Sequence, residues 1–335
     1  MTVRPLTERN RADTGDALEE RRVLDGLAPK HATEASVRAT AERVRLIDHQ
    51  RIDRTGAAGP GPVTGTGAPP DRRSDMSMLQ FDENAARHFQ RVYSTPDVVQ
   101  QRAEVLALLA ARPGERVLDV GSGPGFLVAS LADAVGASGA VHGLDPSAPM
   151  NAVARDLIAT RPWARIDDGD AVELPYPDGA FDAAVATQVY EYVADIPRAL
   201  SELRRVLRLG GRALVLDTDW DSVVWHAADR ERHRRIMAAW EEHLVHPHLP
   251  CTLPGHLRRA GFRVTGRHLI PLFNPRFEQN TISALNMELI ARFVAGRHGL
   301  TEADVDAWMA DLRERGAEDD YLYSVNRYCF LAVAQ

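Results

Sequence analysis

The stretch Val117–Asp145, VLDVGSGPGFLVASLADAVGASGAVHGLD, reads as an apolar run, a glycine-rich turn, a helix and a second apolar run that ends in an acid. Short apolar runs bounded by turn residues make buried strands, and a strand, turn, helix and strand in this order build a nucleotide pocket. Gly121, Gly123 and Gly125 let the backbone approach a ligand and turn tightly into the helix N-terminus. Asp145 closes the second strand, where a carboxylate accepts hydrogen bonds from both hydroxyls of an adenosine ribose.

Outward from this unit the alternation continues. Strands are predicted at 116–120, 140–144, 164–168, 182–187 and 212–217, with helices between them. DIPRALSELRRVL is amphipathic and stops at Gly210-Gly211; LPGHLRRAGF reads as a helix closed by Gly261, before a strand FRVTGRHLI. The chain ends on a strand within YLYSVNRYCFLAVA. The expected fold is α/β: a Rossmann-like doubly wound sheet, mostly parallel with an antiparallel C-terminal strand, helices on both faces, and helical cap insertions. The main domain spans 113–335, with insertions near 219–249 and 281–316, and residues 76–112 form an N-terminal helical cap.

Residues 1–75 hold no Phe, Trp, Tyr or Cys and close on the linker TGAAGPGPVTGTGAPPDRRSD. Such a segment buries too little apolar area to offset its ordering entropy, so disorder is expected, and Met76 or Met78 is a candidate start of translation. The two cysteines give no disulfide framework, no apolar run matches a membrane span, and the start MTVRPLTERNRAD lacks the apolar stretch of a signal peptide, which together suit the cytoplasm. A net charge of −7 argues against a phosphate-tracking nucleic-acid surface. The only lysine, Lys30, lies in the extension, which excludes a Schiff base or a Walker lysine from the folded part.

The glycine spacing narrows the ligand. A dinucleotide fingerprint, G-x-G-x-x-G, places its third glycine where this chain has Phe126. Asp119, at the end of the first strand, would repel a pyrophosphate but suits a cofactor with an ammonium group, such as S-adenosylmethionine. LDVGSGPG, GLDPSAPM, DGDAVELPYPDGAFDAAVATQVYEYV, LRRVLRLGGRALVLD and LRRAGF, in that order, resemble the motifs of class I S-adenosylmethionine-dependent methyltransferases. The resemblance is to the small-molecule group that includes ubiquinone and menaquinone biosynthesis enzymes, and it covers the chain from about Phe81 to its end. It makes 113–335 a methyltransferase domain.

Carried over by position, the resemblance implies that Gly121 and Gly123 line the methionine moiety, with Asp119 near its amine through the turn or water. Asp145 would hold the ribose, Pro146 and Met150 would pack near the adenine, and Asp170 would accept from the adenine amino group while Ala171 supplies a backbone contact. Asp167 and Asp168 compete with Asp170 for that role. Gln188 would lie beside the methionine part, and Tyr93 and Arg102 would close the pocket from the N-terminal helices. The implied reaction is methyl transfer to O, C or N of a small acceptor, aromatic or quinone-like. An NAD(P)-dependent oxidoreductase and a non-catalytic cofactor-binding protein are the alternatives.

TQVYEYV replaces the Asn/Asp-Pro-Pro-Tyr/Phe sequence that aligns amine nitrogens in related enzymes, which counts against DNA-amine and protein-glutamine methylation. His226 is the candidate general base because it follows the carboxyl end of strand five; Tyr190 and His88 are the alternatives. Trp220 and Trp225 either wall the acceptor or hold the insertion on the core. In HLVHPH, Pro247 breaks the face shared by His243, His246 and His248, so no metal is expected.

Overall fold

The computed structural model describes residues 82–335; the extension expected over 1–75 and the first cap residues, Phe81 among them, lie outside the described residues. Helix α1 (Glu83–Tyr93) starts at Asp82, whose side chain accepts from the Ala85 amide, and α2 (Pro96–Leu109) follows after two residues. Pro96 opens α2 because its missing N–H is one a first helical turn would leave unpaired.

Beyond α2 the alternating segments form β1 (Arg116–Val120), α3 (Phe126–Val135), β2 (Ala140–Asp145), α4 (Ala148–Ile158), β3 (Ala164–Asp168), β4 (Phe181–Thr187) and α5 (Ile196–Val206). Then come β5 (Leu207–Trp225), α6 (Arg230–Trp240), α7 (Leu249–Arg259), β6 (Phe262–Asn274), α8 (Ile282–Val294), α9 (Glu302–Ala317) and β7 (Tyr323–Ala334). Among the described residues these strands make one seven-stranded sheet in the order β3-β2-β1-β4-β5-β7-β6. The first five run parallel, and β7 is antiparallel to both of its neighbours.

Both sheet faces are covered, as near-continuous apolar strands require. Leu118, Ala184 and Val215 pack with Leu200 and Leu203 of α5 and Leu253 of α7. Their chain neighbours Val117, Val185 and Leu214 face the other way, onto Leu131 of α3, Ala154 of α4 and Leu109 of α2. A further apolar cluster forms the cap: α6, α8 and α9 meet α1 around Trp225, Trp240, Ile290 and Trp308. No helix among the described residues is long and apolar enough to cross a membrane.

The structure departs from the sequence reading at β5. The strand was expected over 212–217, yet it runs from Leu207 to Trp225, with a register shift near the Gly210-Gly211 turn. Its partner β4 ends at Thr187, but β7 keeps pairing, from Arg212↔Val333 to Trp225↔Tyr323. The antiparallel partner thus supplies hydrogen bonds where the parallel one stops. The first part of the 219–249 insertion is therefore strand, and its helix spans only Arg230–Trp240, started by Asp229 accepting from the Arg232 amide.

Candidate active site

The glycine turn is built by what surrounds it. The amides of Gly121 and Ser122 both donate to the Leu144 carbonyl, at 2.7 and 3.0 Å, which ties the end of β1 to β2. Gly125 caps α3 at φ +82°, and a β-carbon there would lie 2.7 Å from Cβ and 2.9 Å from Cα of Ala154. That glycine lets α3 close onto α4. Gly123 has φ +51° and open space where a β-carbon would be, so its freedom serves the backbone turn and the ligand side.

Above the carboxyl ends of β1, β2 and β4 lies a cavity of about 540 Å³, within the range of about 300–1,000 Å³ that holds small ligands. Tyr93, Gly121, Gly123, Asp145, Pro146, Met150, Asp170, Ala171 and Gln188 all line it. Asp145 is the half-buried carboxylate of this wall. Its Oδ2 accepts from the Gly123 amide and its Oδ1 from the Ser147 amide, each at 2.9 Å. Burial raises its pKa, while these two amides oppose the rise.

The three aspartates at 167, 168 and 170 differ in position and partners. Asp168 is engaged by Asn151 Nδ2 at 2.7 Å and Arg155 at 2.8 Å, and Asp167 accepts from the Tyr176 hydroxyl at 2.9 Å. Asp170 alone of the three lines the cavity, with its Oδ1 accepting from the Val172 amide at 3.0 Å.

Asp119 lies next door, in a pocket of about 40 Å³ that shares Tyr93, Gly121, Pro124 and Thr187 with the larger cavity. It is 1% exposed, and neither carboxylate oxygen has a hydrogen-bond partner. Burial, and then the charge of Asp145, hold its pKa well above the carboxylate range. Across the same pocket Arg102 donates to the Tyr93 carbonyl at 3.0 Å, and its guanidinium carbon lies 5.1 Å from the centre of the Phe126 ring. An acid and a guanidinium thus share one small buried space.

Several expected participants are elsewhere. His226 does not line the cavity: it is half-exposed, with Nε2 3.3 Å from Asp320 Oδ2. The long β5 carries it nine residues past Asp217, beyond a register break between Asp219 and Val224, so the strand end it follows is not the edge where ligands bind. His88 is buried with Nδ1 3.2 Å from Arg292, and burial pushes its pKa down to about 4. Tyr190 sits in the apolar core beneath α5.

Trp220 and Trp225 belong to the core of the cap, where the Trp225 indole N–H donates to the Tyr321 hydroxyl at 3.0 Å. His243 is stacked 3.7 Å from Trp240, whereas His248 faces Asp219 at 3.2 Å and Asp221 at 3.5 Å, in a cluster that is largely exposed.

Phe89, on the helix expected to contact substrate, supplies apolar wall. The cavity also uses residues that were not singled out: Val172, Tyr192 and Val193 add apolar wall, and Gln101 joins Arg102 in the small pocket. Tyr192 and Val193 lie four and five residues past Gln188, and Gln101 adjoins Arg102, so proximity to the chosen residues was the available signal.

A doubly wound sheet of this strand order, with its ligand cavity over the strand ends, is the fold of the class I methyltransferases. Residues 118–215 match the family described as "Methyltransferase domain". An uncharacterised 37.1 kDa protein in transposon TN4556 of Streptomyces fradiae is 40% identical over 167 residues, which are 50% of this chain and 45% of that protein. The 2-phytyl-1,4-naphtoquinone methyltransferase of Synechococcus elongatus is 45% identical over 111 residues, 32% of this chain and 48% of that enzyme. The chain thus matches about half the length of these relatives. Among solved structures, Haemonchus contortus phosphoethanolamine N-methyltransferase 2 with S-adenosyl-L-methionine has a TM-score of 0.53 at 19% identity, covering 79% of this chain and 60% of that one. That likeness concerns the fold.

Proposed function

We propose that this protein transfers a methyl group from S-adenosylmethionine to a small apolar acceptor of aromatic or quinone-like character. The observation that carries the reading is Asp119, a fully buried carboxylate without a hydrogen-bond partner, facing a small pocket that Arg102 also lines. A buried carboxylate left unpaired is costly unless a cation completes it. An amino acid's ammonium and carboxylate, side by side, suit such a pair of walls. A pyrophosphate does not, which disfavours the nicotinamide-dependent alternative.

In this reading Asp119 and Arg102 receive the methionine end, and Gly121 and Gly123 line it. The free lone pairs of Asp145 accept from the ribose hydroxyls, while Pro146, Met150, Asp170 and Ala171 surround the adenine. When bound, the cofactor supplies an electrophilic methyl group on a sulfonium. The protein's own contribution is alignment and exclusion of water. Phe89, Tyr93, Val172, Tyr192 and Val193 give the acceptor an apolar surface. Tyr93, its hydroxyl pushed up to about 12 by burial, stays a hydrogen-bond donor throughout the working pH range. The position of His226 gives no support to a role as base.

The acceptor class draws further support from the quinone methyltransferase among the relatives. Calorimetry with S-adenosylmethionine, S-adenosylhomocysteine and NAD, followed by isotopic methyl transfer to a panel of naphthoquinols and phenols, tests it. Binding of both sulfur nucleotides and labelling of at least one quinol are expected. Preference for NAD would overturn the cofactor assignment. Labelling confined to polar amines would overturn the acceptor class, and tight cofactor binding without any transfer would favour a non-catalytic binding protein.

A further inference from the structure

Gln188 reaches the cavity by a strained route, held there by two residues, Thr218 and Glu191, that do not line the cavity. It has φ +56°, a region that favours glycine, while its amide donates to the Leu216 carbonyl at 2.7 Å. Its side-chain Nε2 donates to Thr218 Oγ1 at 2.5 Å and to Glu191 Oε1 at 3.4 Å. Glu191 is 1% exposed. Its other oxygen, Oε2, accepts from the indole N–H of Trp220 at 3.3 Å.

The same residue is tied to the cap through its backbone. Its carbonyl accepts from the amides of Val245 and His246, at 3.1 and 2.9 Å, in the loop between α6 and α7. Asp217 Oδ1 accepts from the Val189 amide at 3.1 Å, which fixes the turn between Gln188 and Glu191 from the β5 side. Trp220 in turn packs on Trp240 of the cap, with ring centres 5.7 Å apart. A buried carboxylate carries a desolvation cost that purely apolar packing would avoid. Here its oxygens face Gln188 from the cavity wall and Trp220 from the cap, together with the Thr218 backbone and the charge of the buried Arg327.

We infer that Glu191 is a positioning residue that holds Gln188 against the methionine end of the cofactor and couples that wall to the cap through Trp220. The inference rests on the cofactor reading above. A cap movement that broke the Trp220–Glu191 bond would loosen Gln188, so occupation of the acceptor side and of the cofactor side would report on each other.

The test is a double-mutant cycle on S-adenosylhomocysteine binding, read by calorimetry on the full chain. Glu191→Ala and Gln188→Ala are each expected to weaken binding roughly tenfold, and the double variant no more than either alone, because each needs the other. Multiplication of the two effects to roughly a hundredfold, or an unchanged affinity in Glu191→Ala, would overturn the inference. Glu191→Gln keeps the buried volume and guards against a folding defect. With one acceptor oxygen it should lose roughly threefold, and Trp220→Phe should lose a similar amount by the same route. Equal losses in Glu191→Gln and Glu191→Ala, with the melting temperature falling in parallel, would reduce Glu191 to a structural residue and overturn the inference. A wild-type chain that bound neither sulfur nucleotide would overturn the cofactor reading and this inference together.

Discussion

Oδ2 of Asp145 accepts the amide N–H of Gly123 at 2.9 Å, so the acid at the tip of β2 shapes the glycine turn it shares with the ligand. Asp145→Ala removes the proposed ribose acceptor and leaves that amide unpaired. Two charge-assisted hydrogen bonds of about 1.5 kcal/mol each correspond to roughly a hundredfold loss of S-adenosylmethionine affinity, measurable by calorimetry. Asp145→Asn, which keeps the shape and one acceptor oxygen, should fall between the two. Wild-type affinity in Asp145→Ala would show that the ribose lies elsewhere.

Burial holds the Asp119 carboxyl well above its ordinary range in the free protein, and an incoming ammonium would bring it back down. Cofactor binding should therefore release a proton, and affinity should rise with pH until the free-site value is passed. Titrations in buffers of different ionisation enthalpy measure that release directly. Asp119→Asn should abolish it. Since the folded pKa is raised, the group's contribution to stability is full below the unfolded value of about 3.8 and is lost as pH rises through the folded one. The Asn variant should thus melt higher at neutral pH while binding cofactor less well.

The two glycines of the turn should respond differently to alanine. Gly125→Ala drives a methyl group into Ala154 and its backbone and keeps a positive φ, a cost of about 2–4 kcal/mol. Gly123→Ala meets only the backbone penalty of about 1–2 kcal/mol. Denaturant titration should show the larger loss at Gly125. Cofactor affinity, measured on whatever remains folded, should suffer more at Gly123, which lines the cavity.

Acid should attack the cap first. Burial pushes the His243 pKa down from 6.5 to about 3, so the folded state resists a proton that the unfolded chain accepts. Its contribution is intact above pH 6.5 and is lost as pH falls from there toward 3. Raised carboxyls such as Asp145 act in the opposite direction, so the comparison must be between variants. The melting temperature of His243→Phe, relative to wild type, should climb steadily between pH 6.5 and 4. A constant difference across that range would remove His243 as the acid-sensitive group.

Some of this molecule was legible without coordinates, for a local reason. The turn at Gly121–Gly125 and the acid at Asp145 are written within one strand–helix–strand unit, where backbone freedom and strand ends follow chemistry over a few residues. Asp170 could be named but not separated from Asp167 and Asp168, because the partners that occupy the latter two, Tyr176 and Arg155, are chosen by tertiary packing. His226 misled because the length of β5 is decided by β7, about a hundred residues later in the chain. Glu191 carries no periodic signal at all: its donors come from Gln188, Thr218, Trp220 and the loop at 245–246.

The long β5–β7 ribbon divides the molecule's labour along its own length. The segment shared with the methyltransferase family ends at residue 215, within the part of β5 that still pairs with β4. Past Leu216, among the described residues, β7 alone accompanies the strand outward to Trp225 and the cap, with a register shift between Asp219 and Val224. The inner end behaves as a chassis and the outer end as a socket. New cap sequences could be seated on such a socket without redrawing the cofactor chamber, provided the Trp220–Glu191 link is kept. Acceptor preference could then change by exchange of modules, while the proposed sulfonium chemistry stays as it was.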